Sequence, residues 1–316
     1  MASFDELVKQ KIKLLETVPE SIVTAAEKTQ REAWRKLGPL LAEMDVDENG
    51  NISQTEDNIR RIGLITEELN KVLAGGEYRD AVQSFLSSID EGVQLTDDIA
   101  RKIDSTFEPN NVQKQLLAIS KQNAINAFFG SGLRENVTQP FLEQLTANVA
   151  ARAPLREAVA ALQGVIEGTD ANDGRLLANV RTTANTAQAI ADRSYAAAVN
   201  EELGIEYFQY LGGEIPTTRP FCEHREGEIY HRGEIEAWGN GENSAGINDI
   251  RNGTWAGRIE GTDSRSIFTF VGGWNCRHFL VPVIKQRVPA SVIARAEAEG
   301  FATPPRPRGG AQALTA

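Results

Sequence analysis

Apolar residues recur at helical spacing from the first turn of the chain. Ser3-Phe4-Asp5-Glu6 has the form of a capping box, and Phe4, Leu7, Val8, Ile12 and Leu15 follow on one face. Val18-Pro19 predicts a break, with Pro19 suited to the first turn of a second helix that runs to about Met44. A dense polar turn, Asp45 to Ser53, comes next. A third helix reads through Ile59, Ile62, Leu64, Ile65, Leu69, Val72 and Leu73 and stops at Gly75-Gly76. Amphipathic segments follow at 78–89, 96–103, 112–129, 137–151 and 155–166. The breaks among them include Pro109-Asn110-Asn111, Gly130-Ser131-Gly132 and Gly168-Thr169-Asp170. A last long pattern, Leu176 to Leu203, is rich in alanine, which favours helix and lets partner helices approach closely.

The pattern changes near Gly204. Glu206 to Leu211 is aromatic and reads as a strand, as do Ile267 to Val271 and Phe279 to Val283. Pro282 limits the last of these to an edge or a short piece. Pro289 to Glu299 predicts one more helix, and the stretch after Thr303 is Pro/Gly-rich and reads as a flexible tail. The expected fold is a mainly α N-terminal region of several helices over residues 1–204 and a small α+β domain over 205–289. A short helix and the tail follow over 290–316. The helical pattern is equally that of a bundle and of an extended arm.

Composition narrows the function classes. At 316 residues either half can bury its own core. The net charge of −11 argues against a general nucleic-acid coat, which needs clustered Lys and Arg. No run approaches the roughly 18 apolar residues of a membrane span. The N-terminus lacks the basic-then-apolar order of a secretory signal, so synthesis in a cytoplasm is the expectation.

The candidate chemistry is concentrated in two places. Cys222-Glu223-His224 and Cys276-Arg277-His278 hold both cysteines and two of the three histidines of the chain. Zinc takes four N or S ligands in a tetrahedron, and Cys222, His224, Cys276 and His278 supply two of each. On a strand, residues i and i+2 share a face, so each triplet could chelate if extended. His231 is a substitute ligand. The other readings are buried thiols and imidazoles that pack a loop-rich core, and a Cys222–Cys276 disulfide. The second place is the polar turn. Asp45, Asp47, Asn49, Asn51, Ser53 and Glu56 fall at positions 1, 3, 5, 7, 9 and 12 of an EF-hand loop, with Gly50 at its sharp turn, which makes calcium the candidate ion there. The alternative is a helix connection in which Asp and Asn satisfy backbone donors and Ser53 or Thr55 caps the next helix.

No phosphate loop, nucleophile elbow or His-Glu-x-x-His motif is present. Glu234-Ile235-Glu236 with Arg219 is faintly similar to an ADP-ribosyltransferase pattern, but close acid pairs are common on solvated surfaces. The expectation is a protein that is not an enzyme.

Three segments together carry a resemblance. Thr218-Arg219-Pro220-Phe221-Cys222, Glu226-Gly227-Glu228-Ile229-Tyr230, and Gly272-Gly273-Trp274-Asn275-Cys276-Arg277-His278 with Val281-Pro282-Val283 resemble the C-terminal domain of tailed-phage minor head proteins. These are the Mu F-like and SPP1 gp7-like head morphogenesis family. The match covers roughly 75 residues, and Asn-Cys-Arg-His is its most specific element. The resemblance implies a virion component in few copies that contacts the portal or other head and neck proteins and acts in head assembly or genome delivery. Family members often carry a further Cys near the first; His224 stands in the comparable place. A rival reading is a metal-dependent nuclease or ADP-ribosyltransferase-like effector on a helical delivery arm. Another is a metal-free neck or head-completion protein.

Overall fold

The first helix runs unbroken through the position where a break was expected. In the computed structural model, which describes residues 2–213, 216 and 218–302, α1 spans Phe4–Ala42 with Pro19 and Pro39 inside it. The capping box at its start is formed: Glu6 N–H donates to Ser3 Oγ, and Ser3 N–H donates to the Glu6 carboxylate. A proline inside a helix removes one backbone bond and costs about 3 kcal/mol. Here the apolar face of α1 offsets that cost, because Ile22, Ala26, Ala33, Leu37 and Leu41 are all buried in one core.

That core is continuous across the helical region. It takes in α1, α2 (Glu56–Leu73), α3 (Gly76–Ile103), α4 (Asn111–Phe129) and α5 (Ser131–Leu133). It also takes in a π-helical turn over Arg134–Thr138, α6 (Gln139–Ala150), α7 (Leu155–Glu167) and α8 (Arg175–Glu202). α3 merges the two segments expected at 78–89 and 96–103. Gly92 in its middle leaves room for Leu14 and Asp192, whose atoms lie 3.5–3.7 Å from where a Cβ would sit. Charged groups inside this region are paired. Lys11 Nζ lies 3.0 Å from Asp192 and donates to Thr96 at 2.7 Å, while Tyr195 donates to Asp97 at 2.8 Å. A two-residue hairpin, β1 (Gly168–Thr169) with β2 (Asn172–Asp173), connects α7 to α8.

The chain divides into two compact units, and the division falls between Val199 and Asn200. Among the described residues the first unit takes 2–199 and 275–277, and the second 200–274 and 278–302. The second unit holds a three-stranded antiparallel sheet in the order β4-β3-β5, built from β3 (Tyr207–Leu211), β4 (Ile229–His231) and β5 (Phe279–Val283). Pro282 sits on the edge strand opposite Phe208, where its missing N–H breaks no ladder. Around the sheet lie α9 (Pro220–Glu223), α10 (Arg232–Gly239), α11 (Ile267–Phe270) and α12 (Ala290–Ala298). The expected architecture, helices first and a small α+β region after them, is the one observed. The expected tail beyond Thr303 lies outside the described residues.

One expected strand is a helical turn. Ile267–Phe270 forms α11 because Asp263 seats it: the carboxylate accepts from Arg265 N–H and Ser266 N–H, and the Asp263 carbonyl accepts from Ile267 N–H. A short apolar run is ambiguous between strand and buried helix, and here the cap decides. No described helix is long and apolar enough to cross a membrane.

Candidate metal centre

The two Cys-x-His triplets adopt different backbones. Cys276 and His278 lie on the irregular segment that leads into β5, and their ligand atoms come together there. Cys222 lies in α9, and the turn continues past it: Glu226 N–H donates to Cys222 O at 3.1 Å and His224 N–H to Pro220 O at 3.0 Å. At about 100° per residue, two steps along a helix turn a side chain to the opposite face. His224 therefore points away from Cys222. Its Nδ1 lies 3.1 Å from the Asp249 carboxylate and its side chain is half exposed. The expected four-ligand set is corrected on this point: the structure gathers Cys222, Cys276 and His278, whose ligand atoms lie within 4.8 Å of one another, and leaves His224 out.

All three gathered residues are buried, and the cysteines are not joined in a disulfide. Tyr210, on β3, supports the group from one side: its hydroxyl donates to Cys222 Sγ at 3.3 Å, and its ring lies 5.2 Å from the His278 ring. Glu226 approaches from the other, with Oε2 3.0 Å from His278 Nε2 and Oε1 accepting from Gly212 N–H. Two soft sulfur donors and an imidazole suit zinc better than a hard cation. The donor set is compatible with zinc and numbers three residues.

The remaining residues of the motif build the wall behind this group. Arg219 donates to the carbonyls of Gly272 and Trp274 and so ties the first triplet's strap to the second's. Gly273 has φ +94°, and a Cβ there would lie 1.9 Å from Gly257 O, so only glycine fits the turn before Cys276. Arg225, unnoticed in the sequence, is fully buried. It forms a bidentate pair with Asp249 at 2.7 and 2.9 Å and lies 3.8 Å above the Phe221 ring and 4.4 Å from that of Trp238. Burial alone would raise the Asp249 carboxyl, but Arg225 and His224 hold it below the usual range. No local pattern announces this pair, because its partners stand 24 residues apart.

The other candidate residues have structural partners. His231 caps α10: its Nδ1 accepts from Gly233 N–H at 3.1 Å, which requires the neutral ring, and burial pushes its pKa down. Glu234 is the other half of that capping box and is fully buried against Arg295 at 2.7 Å. Of the ADP-ribosyltransferase-like set, Glu234 is thus engaged in a cap and an ion pair, and Arg219 with the carbonyls of Gly272 and Trp274.

The acidic turn closes on itself. Asp47 accepts from Asn49 N–H and Asn51 N–H at 2.9 Å each, which holds its carboxyl below the usual range, and Gly50 has φ +78°. Ile52 is buried in the helical core, and its N–H donates to Ala153 O. Asn58, fully buried, grips the turn from below by bonding Asp45 N–H, Asp45 O and Ser53 O. Thr55 caps α2, and Glu56 is its first residue. The carboxylates of Asp45, Asp47 and Glu56 are not brought together as a cation-holding group; Asn49, Asn51 and Ser53 belong to the hydrogen-bonded turn. Comparison with known protein families, curated proteins and solved structures returned no match.

Proposed function

We propose that this chain is a minor head protein of a tailed phage, a portal-proximal virion component that acts in head assembly or genome delivery. In this reading zinc is held by Cys222, Cys276 and His278. The observation that carries the proposal is the convergence of the segments on which the family resemblance rests. Cys222 meets Cys276 and His278, Arg219 straps Gly272 and Trp274, and Val281-Pro282-Val283 forms the edge strand beside Tyr207–Gln209. Cys222, Arg219, Cys276, His278 and the edge strand thus hold these segments together. A structural adaptor needs that, and a metal would order a loop-rich region with little core of its own.

A second reading keeps one specific observation in its favour. A zinc site with three protein ligands and an open fourth position is the catalytic arrangement. A metal-dependent enzyme on a helical arm would use such an opening.

Quantitative mass spectrometry of purified virions and head precursors tests the proposal. The expected result is this chain at portal-like or lower copy number relative to the major capsid protein. Absence from both virions and precursors contradicts it.

A further inference from the structure

α4 is apolar on two faces, and the helical core takes only one of them. Ala124 and Phe128 are buried in that core, with Leu117, Ile125 and Phe129 packed against it. On the other face Val112 and Ile119 are 61% and 56% exposed. We propose that this second face is a contact between copies of the chain, α4 of one copy pairing with α4 of another about a two-fold axis. The contact involves the helical unit alone and is independent of any metal.

Val112, Ile119 and Asn126 stand seven residues apart, the repeat that keeps a seam turned toward a partner helix. Gln115 and Gln122 flank that line on one side, and Leu116 and Asn123 on the other. Leu116 is half-buried and the other six are exposed. None of them is charged. At about 100° per residue, Lys114 and Lys121 fall about 180–200° away from Val112, on the opposite side of the helix. Lys121 is held there by Asp90 at 2.7 Å. α2 shows what a solvated helix of this protein carries: seven charged side chains in 18 residues, against two in the 19 of α4. Exposed aliphatic side chains in a charge-depleted surround have the anatomy of an interface core, not of a solvated face.

The chemistry of the face selects a second copy as its partner. It offers no charge for a phosphate backbone or a charged protein surface to read. Its polar groups are carboxamides, each both donor and acceptor, so the same face turned about a two-fold axis is its own complement. At a net charge of −11 two copies repel one another over most of their surface, and they meet at least cost where the surface carries no charge. The 19-residue helix is about 28 Å long, and a stripe about 10 Å wide along it covers roughly 300 Å² per copy, against about 800 Å² per partner in a standing dimer. The pairing is therefore weak and concentration-dependent, with Kd on the order of 10⁻⁵–10⁻⁴ M.

Sedimentation velocity of the full chain over a concentration series up to about 500 µM tests this, with folding checked by circular dichroism. The wild type should pass from monomer to dimer and no further, because a two-fold contact closes on itself. Val112→Lys with Ile119→Lys, and separately Val112→Glu with Ile119→Glu, change exposed positions and should each weaken the dimer by about 10-fold or more through like charge. An equal mixture of the two variants should recover it, because a cationic face then meets an anionic one. If a charged variant loses its helical signal, Val112→Gln with Ile119→Gln takes its place, and a dimer of undiminished strength there overturns the contact. A wild type that stays monomeric or assembles beyond the dimer, a dimer that persists in either charged variant, or a mixture that stays monomeric also overturns it.

Discussion

Cys222-Glu223-His224 and Cys276-Arg277-His278 share a spacing, yet only the second delivers both of its ligands to one place. The first is wound into α9 and the turn after it, where i+2 means opposite faces, while the second lies on the irregular segment before β5 and brings both of its ligand atoms to the group. A motif is therefore a statement about chemistry only when its backbone is known. The helical turn carries Cys222 into the group and turns His224 toward a partly exposed contact with Asp249.

The comparison can be broken most forcefully beside the helical triplet. Arg225→Ala should cost about 3–5 kcal/mol, because it leaves the largely buried Asp249 with only the half-exposed His224 and removes the cation over Phe221 and Trp238. Urea denaturation followed by tryptophan fluorescence checks this, and Arg225→Lys should rescue little of it, since lysine cannot make the bidentate pair. Beside the second triplet, Gly273→Ala should cost about 1–3 kcal/mol through its left-handed backbone and its contact with Gly257 O. The same denaturation series measures it.

Acidity should weaken the second unit through a residue outside both triplets. The His231 pKa is lowered by burial, with Glu206 and Glu234 opposing and Lys285 and Arg232 adding to the shift. Its folded value lies below its unfolded value, so its contribution is full above about pH 6.5 and is lost as pH falls toward the folded value. A pH series of thermal midpoints should show this slope in the wild type and lose it in His231→Asn, which keeps a capping acceptor that does not titrate. The smallest effect belongs to His224→Ala. Its contact with Asp249 is half solvated, and the change should stay within about 1 kcal/mol in the same melts.

Much of the helical region was legible because an amphipathic helix repeats its signal over many turns. Ile65, Leu69, Val72, Leu162 and Val180 all fall in the core where their periodicity put them. What the sequence concealed were local contests. Pro19 reads as a stop, but the buried face of α1 overrides it. Ile267 to Val271 reads as a strand, but Asp263 caps a helical turn. Asn58, which no EF-hand spacing announces, binds the polar turn from below through Asp45 and Ser53. The candidate metal centre was legible in its residue types and half legible in its membership. Rare Cys and His mark it, whereas the departure of His224 follows only once 222–226 is known to be a helical turn.

The central claim is that the two triplets meet to hold one metal. Native mass spectrometry of the full chain, purified without added chelator, tests it most directly. The account predicts one zinc per chain in the wild type, retained in His224→Ala and lost in Cys276→Ser and His278→Ala. A metal-free wild-type chain, or zinc that persists when Cys276 or His278 is removed, would contradict it.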